Sequence, residues 1–221
     1  TRLLVLLTMD PLGLYSHGVA VTLSAVLAAL FTYLYLHKIG LGLTACAAAG
    51  WTFACSGFYA ARVAAGHLPL LEGYPALPLL LWVIESQHQA QSRGESSRLW
   101  IIAMAVSSAC VMLAGHPQLP VYALIVGAIY ALWRGGRGSV WRIWGAMIAG
   151  IGCSAFALVP MGLLIGRSTR LLALATAAND IAMPYGRLAA FFLPWRDGVP
   201  PLLDNDSDSM FRGYPNLAYF W

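Results

Sequence analysis

Residues 99–133 read LWIIAMAVSSACVMLAGHPQLPVYALIVGAIYALW, thirty-five positions without an Asp, Glu, Lys or Arg. A single straight helix of that length would reach about 52 Å. The hydrocarbon core of a bilayer is about 30 Å thick. The run therefore folds back on itself. Gly115-His116-Pro117 is the place for it, because Gly frees φ and Pro has no N–H to give the helix. Two apolar helices, over 99–114 and 119–133, joined by a tight hairpin become the pattern for the rest of the chain.

Outward from that run, charge-free stretches locate further helices at 17–36, 42–61 and 143–165, and the run from Val63 to Ile84, with one acid, Glu72, near its start, locates another at 69–85. A seventh helix begins near Asn216. Hydrophobic residues make up 59% of the chain and charged residues 10%, against roughly 45–50% and 25% in soluble domains. Mean hydropathy is +0.69. A soluble globule has too few charges here to cover its surface, and a disordered chain would be far less apolar. The runs lack the period-two alternation of barrel strands. The expectation is an all-α, polytopic transmembrane helix bundle: one domain, with six spans and the start of a seventh. The chain opens without a signal peptide and stops inside an apolar run, and so reads as an internal fragment.

Twelve of the 13 basic residues are Arg, and net charge is +4, too scattered for nucleic acid. Loops 37–41, 86–98 and 134–142 carry Lys38, Arg93, Arg98, Arg134, Arg137 and Arg142. Loops 62–68 and 115–118 carry Arg62 alone. That asymmetry makes the first set cytoplasmic and puts residues 166–215 outside. Within this extracytoplasmic segment, 169–178 suits a short helix and 187–195 an amphipathic element lying in the interface. Residues 204–208 form a solvated acidic turn, lacking the Gly and Glu of a calcium loop.

Two outer hairpins resemble each other: Ala65-Gly66-His67-Leu68-Pro69 and Ala114-Gly115-His116-Pro117-Gln118. Each His can donate to a phosphate or act as an acid or base. Arg62 stands near the first hairpin. Glu72 shares its face and is a partner for Arg62 or His67. Arg170 and Arg187 are further outer cations. The four Cys residues form no CxxC pair and read as buried helix-packing residues. The stretches 45–50 and 145–152 are rich in Gly and Ala and read as faces where helices approach closely. The helix interiors hold almost no ionisable residues, which argues against an ion-coupled transporter. No phosphate loop, nucleophile elbow or zinc motif is present.

Phe31-Thr32-Tyr33-Leu34-Tyr35-Leu36 with Lys38-Ile39-Gly40-Leu41, Ala54-Cys55-Ser56-Gly57-Phe58, Gly66-His67, Pro75 to Trp82, Ala114 to Gln118 and Gly186 to Pro194 occur in that order. The succession resembles the YfhO family of bacterial membrane proteins over residues 20–221. That family is similar to the GT-C class of glycosyltransferases. The resemblance implies a protein of the bacterial inner (plasma) membrane, multi-pass, that takes a sugar from a polyprenyl-phosphate donor to an envelope polymer or lipid at its outer face.

The catalytic carboxylate that the resemblance implies would lie in the loop between the first two helices, ahead of this chain. Asp10 is the one acid in the remnant, and the catalytic residues stay unassigned. The expected contacts to donor or acceptor are Arg62, His67, Glu72, His116, Gln118, Arg170 and Arg187. The expected partners are membrane lipid and the lipid-linked sugar, with no metal or other cofactor. Two alternatives remain: a non-enzymatic structural or accessory membrane subunit, and a lipid transporter or flippase.

Overall fold

The computed structural model describes residues 14–167, apart from Ala65, Gly115, Gly135 and Gly136. Every regular element among the described residues is helical. The helices are α1 (Leu14–Lys38), α2 (Leu43–Ala54), α3 (Gly57–Ala64), α4 (Leu68–Glu72), α5 (Ala76–Ser92), α6 (Arg98–Met112), α7 (Gln118–Arg134), α8 (Arg137–Cys153) and α9 (Ala155–Gly166). The expected seventh helix and nearly all of the segment 166–215 lie outside the described residues.

The all-helical reading stands, but the count of long spans does not. Among the described residues two stretches are long and apolar enough to cross a membrane: Ser16–Lys38, and Leu68–Ser92, which joins α4 and α5. A third exists if α8 and α9, bent by 68° at their junction, make one span. The expected span 42–61 is broken. Ser56 caps α3, its Oγ accepting the Tyr59 N–H at 3.2 Å, a bond that suits a new helix start. The span 143–165 is broken at Ser154, whose Oγ donates to the carbonyls of Ala109 and Gly150 at 3.1 and 3.2 Å. Pro160 then sits inside α9 without an N–H to donate. At 15 and 17 residues, α6 and α7 rise only about 22 and 26 Å.

The fold back at 115–117 is as the sequence requires: α6 ends at Met112 and α7 starts at Gln118. Elsewhere helices run on where hydropathy stops. α5 continues through residues 85–92, because Glu, Gln and Ala are good helix formers despite their polarity. It ends at Gly94, φ +69°, where the Glu95 N–H returns to the Ala90 carbonyl and the Gly94 N–H to that of Gln91, a Schellman cap. Loop 86–98 shrinks accordingly, and Arg137 and Arg142 fall inside α8 rather than in a loop.

α5 is the axis of the bundle. Leu80, Val83 and Ile84 pack with Met104 of α6, Ala123 and Leu124 of α7, and Ile143 and Met147 of α8. A second cluster joins Ala28 of α1, Tyr59 of α3, Leu71 of α4 and Tyr74. The small-residue faces act at particular points. A Cβ on Gly50 would lie 2.7 Å from the Ala29 carbonyl oxygen, and one on Gly150 would lie 2.2 Å from that of Ala105. Gly145 and Gly152 have open space instead.

Large apolar side chains cover the outside: Leu99, Ile102 and Val106 on α6, Ile125, Ile129 and Leu132 on α7, Phe156, Leu163 and Leu164 on α9. No α9 residue is buried. The cysteines depart from expectation. Cys46 is buried, but Cys55, Cys110 and Cys153 are exposed, since small residues in an apolar run also populate this outer shell.

Candidate functional site

The polar side chains gather at opposite ends of the bundle. One end holds both histidine hairpins. α3 closes in a Schellman cap: Gly66 takes φ +69°, its N–H reaching the Val63 carbonyl and the His67 N–H reaching the Arg62 carbonyl, each at 3.0 Å. That turn sets His67 back over the residue five positions earlier. Arg62 Nη1 then donates to His67 Nδ1 at 2.9 Å. Arg62 is only 4% exposed, and its guanidinium lies 5.1 Å above the Phe58 ring, a cation–π contact.

Arginine can only donate, so Nδ1 of His67 accepts and the ring proton is on Nε2. Three causes hold the His67 pKa below its ordinary value: burial first, then repulsion from Arg62, then repulsion from His116. The imidazole is therefore neutral at pH 7. His116 is exposed, and its Nδ1 accepts the backbone N–H of Gln118 at 3.3 Å. That acceptor role leaves Nε2 as the ring's donor. The side chain of Gln118 reaches the Tyr122 hydroxyl at 3.5 Å.

The two hairpins meet. Gly73 comes so close to the start of α7 that a Cβ there would lie 3.0 Å from Pro120 and 3.4 Å from Leu119. Below this contact a groove of about 190 Å³ is lined by Phe53, Gly73, Tyr74, Leu77, Leu119, Tyr122, Ala123 and Val126. Tyr74 is fixed in its wall: the ring stacks on Phe53 with centroids 4.7 Å apart. Its hydroxyl donates to the Phe53 carbonyl at 2.7 Å and is 2.8 Å from Ser56 Oγ. The Tyr59 hydroxyl donates to the Val21 carbonyl, and Ser24 Oγ to that of Leu71, tying α1 to the same end.

Of the expected site residues, Arg62, His67, His116 and Gln118 come to this end. Glu72 is half-buried at the end of α4, beside Gly73. Arg170 and Arg187 lie outside the described residues. Among the described residues no three His, Cys, Asp or Glu side chains are placed to hold a metal ion.

The opposite end holds a cluster that hydropathy alone passes over. Glu85 is 0% exposed. Arg134 grips it bidentately, Nε to Oε2 and Nη2 to Oε1, both at 2.9 Å. The Tyr130 hydroxyl adds a bond to Oε2 at 2.9 Å, and Gln89 Nε2 one to Oε1 at 3.2 Å. Gln89 Nε2 also donates to the Lys38 carbonyl at 2.6 Å. Buried Gln87 accepts from Ser139 Oγ at 3.0 Å. The helix interiors are thus not free of ionisable groups. The readable signal was the spacing of Glu85 with Gln89 and Gln87 with Gln91, one helical turn apart on a helix already under way.

Comparison with protein-family models, curated proteins and solved structures finds no match.

Proposed function

We propose that this chain is the membrane-embedded helical bundle of a glycosyltransferase-like protein of the bacterial inner membrane, and that its histidine end binds the phosphate of a polyprenyl-linked sugar donor. The six passes of the bundle would be α1, α2 with α3, α4 with α5, α6, α7, and α8 with α9. Alternation of the ends favours this. Lys38, Glu85–Arg98 and Arg134–Ser139 collect at one end, the two hairpins at the other. The apolar outer shell suits lipid on all sides. With its basic loops cytoplasmic, the histidine end faces outward.

One observation carries the reading: the Arg62–His67 pair and the His116 hairpin come to the same end of the bundle as an apolar groove lined by Tyr74, Leu77, Leu119 and Val126. A phosphate accepts charge-assisted bonds from Arg and N–H bonds from His Nε2. A prenyl tail suits the groove between Tyr74, Leu77, Leu119 and Val126. Because its Nδ1 is engaged by Arg62, neutral His67 serves as a donor rather than a base. The sugar-transfer class rests on the resemblance to the YfhO family, and the catalytic acid or base remains unassigned.

The test uses the full chain in phosphatidylcholine nanodiscs, with polyprenyl-phosphate binding read by native mass spectrometry. His116→Ala should weaken binding by about 1–3 kcal/mol, the worth of a charge-assisted hydrogen bond, with insertion and melting temperature unchanged. Undiminished binding in His67→Ala/His116→Ala would sink the phosphate site and favour an accessory membrane subunit.

A further inference from the structure

A second groove, of about 350 Å³, runs between α7 and α8, away from the histidine end. Leu124, Ile125 and Ala128 form one wall and Trp144, Ile148 and Ile151 the other. Its one polar wall atom, the indole N–H of Trp144, is turned into the protein and donates to the Ala128 carbonyl at 3.2 Å. The groove therefore asks for hydrocarbon and offers nothing to water. We infer that it holds an acyl chain of an anionic phospholipid from the leaflet at the basic end of the bundle.

Depth supports an acyl chain. Trp133 and Trp141, 77% and 69% exposed, sit at the α7–α8 turn as side chains do at a membrane interface. Trp141 packs edge-on against Trp144, centroids 5.3 Å apart, so the interfacial level leads straight into the groove. From Trp141 to Ile151 α8 rises about 15 Å, half of the roughly 30 Å hydrocarbon core and so the depth of one leaflet. Charge supports the headgroup. Among the described residues this end carries Lys38, Arg93, Arg98, Arg134 and Arg142 against Glu85 and Glu95. Glu85 is already engaged by Arg134, so the rim is left positive and attracts an anionic headgroup. The inference rests on the membrane placement proposed above, not on the sugar donor.

The full chain is reconstituted in nanodiscs of equal phosphatidylcholine and phosphatidylglycerol and released into detergent, and its retained lipids are counted by native mass spectrometry. Phosphatidylglycerol should be retained about tenfold over phosphatidylcholine. Ile148→Trp, at a position 69% exposed, fills the groove from its rim and should reduce that retention about tenfold. In the unaltered protein, phosphatidylglycerol with a photoreactive group in its acyl chain should label residues 124–128 and 144–151. Equal retention of the two lipids, labelling elsewhere, or a dimer that Ile148→Trp converts to monomer would each overturn the inference, the last in favour of a second copy as occupant. Recovery of the chain in the soluble fraction, without lipid, overturns both this inference and the membrane placement. His116→Ala separates the two sites, since it should leave phosphatidylglycerol retention intact.

Discussion

The two ends of the bundle solve opposite problems with similar residues. At the Glu85 end a carboxylate is taken wholly out of water, and Arg134, Tyr130 and Gln89 surround it. At the histidine end the buried charge is a cation, Arg62, which donates to the neutral imidazole of His67. The first arrangement closes on itself, because each charge finds its opposite within the protein. The second sets a cation against a neutral ring at 2.9 Å and over the Phe58 face. One end pairs opposite charges between α5 and α7, and the other sets a cation among rings beside the two hairpins.

The sharpest way to break this contrast is Arg134→Ala. It leaves a fully buried carboxylate with only the Tyr130 and Gln89 bonds, and such losses cost about 3–5 kcal/mol. Unfolding of the detergent-solubilised chain by SDS titration measures it. A loss below 1 kcal/mol would make the two ends energetically alike. Ser139→Ala is milder. It removes the hydroxyl that Gln87 accepts from in the interior, worth about 1 kcal/mol by the same titration. No change would mean that the network ends at Gln89.

The smallest effect is a titration at the other end. The His67 imidazole should titrate below the ordinary 6.5 when followed by NMR. Its folded form binds a proton less readily than the unfolded chain. Its contribution to stability is therefore full above 6.5 and is lost as pH falls through the folded value. His116→Ala removes one of the repulsions and should move the midpoint up. A midpoint above 6.5 in the unaltered protein would mean that neither burial nor the Arg62 charge governs this ring.

Much of this was legible in the sequence. The length of residues 99–133 forces a hairpin whatever the packing, and the hairpin is there. Gly66 followed by His67 marks a helix stop that turns the chain back over Arg62. Residues of the three basic loops do meet, through Gln89 on the Lys38 carbonyl and Ser139 on Gln87. What stayed hidden has physical reasons. Hydropathy ends a helix at the first polar cluster, whereas residues 85–92 keep good helix formers and continue. The breaks at Ser56 and Ser154 coincide with hydroxyls that bond partners distant in sequence, Tyr74 and the Ala109 carbonyl. Exposure of Cys55, Cys110 and Cys153 depends on which face meets a neighbour, and a helix apolar all round does not announce that.

The bond between Glu85 and Arg134 spans 49 residues of chain, and that separation is also an interval of time. At about 5–20 residues per second of synthesis, Glu85 is made roughly 2–10 s before the arginine that neutralises it, and Tyr130 arrives barely sooner. Throughout that interval α5 exists as an apolar helix with an unanswered carboxylate near its end. Its bidentate partner exists only once α7 has been made. The order of synthesis is thereby written into the pairing: the carboxylate comes first, and the phenol and guanidinium that bind it come last.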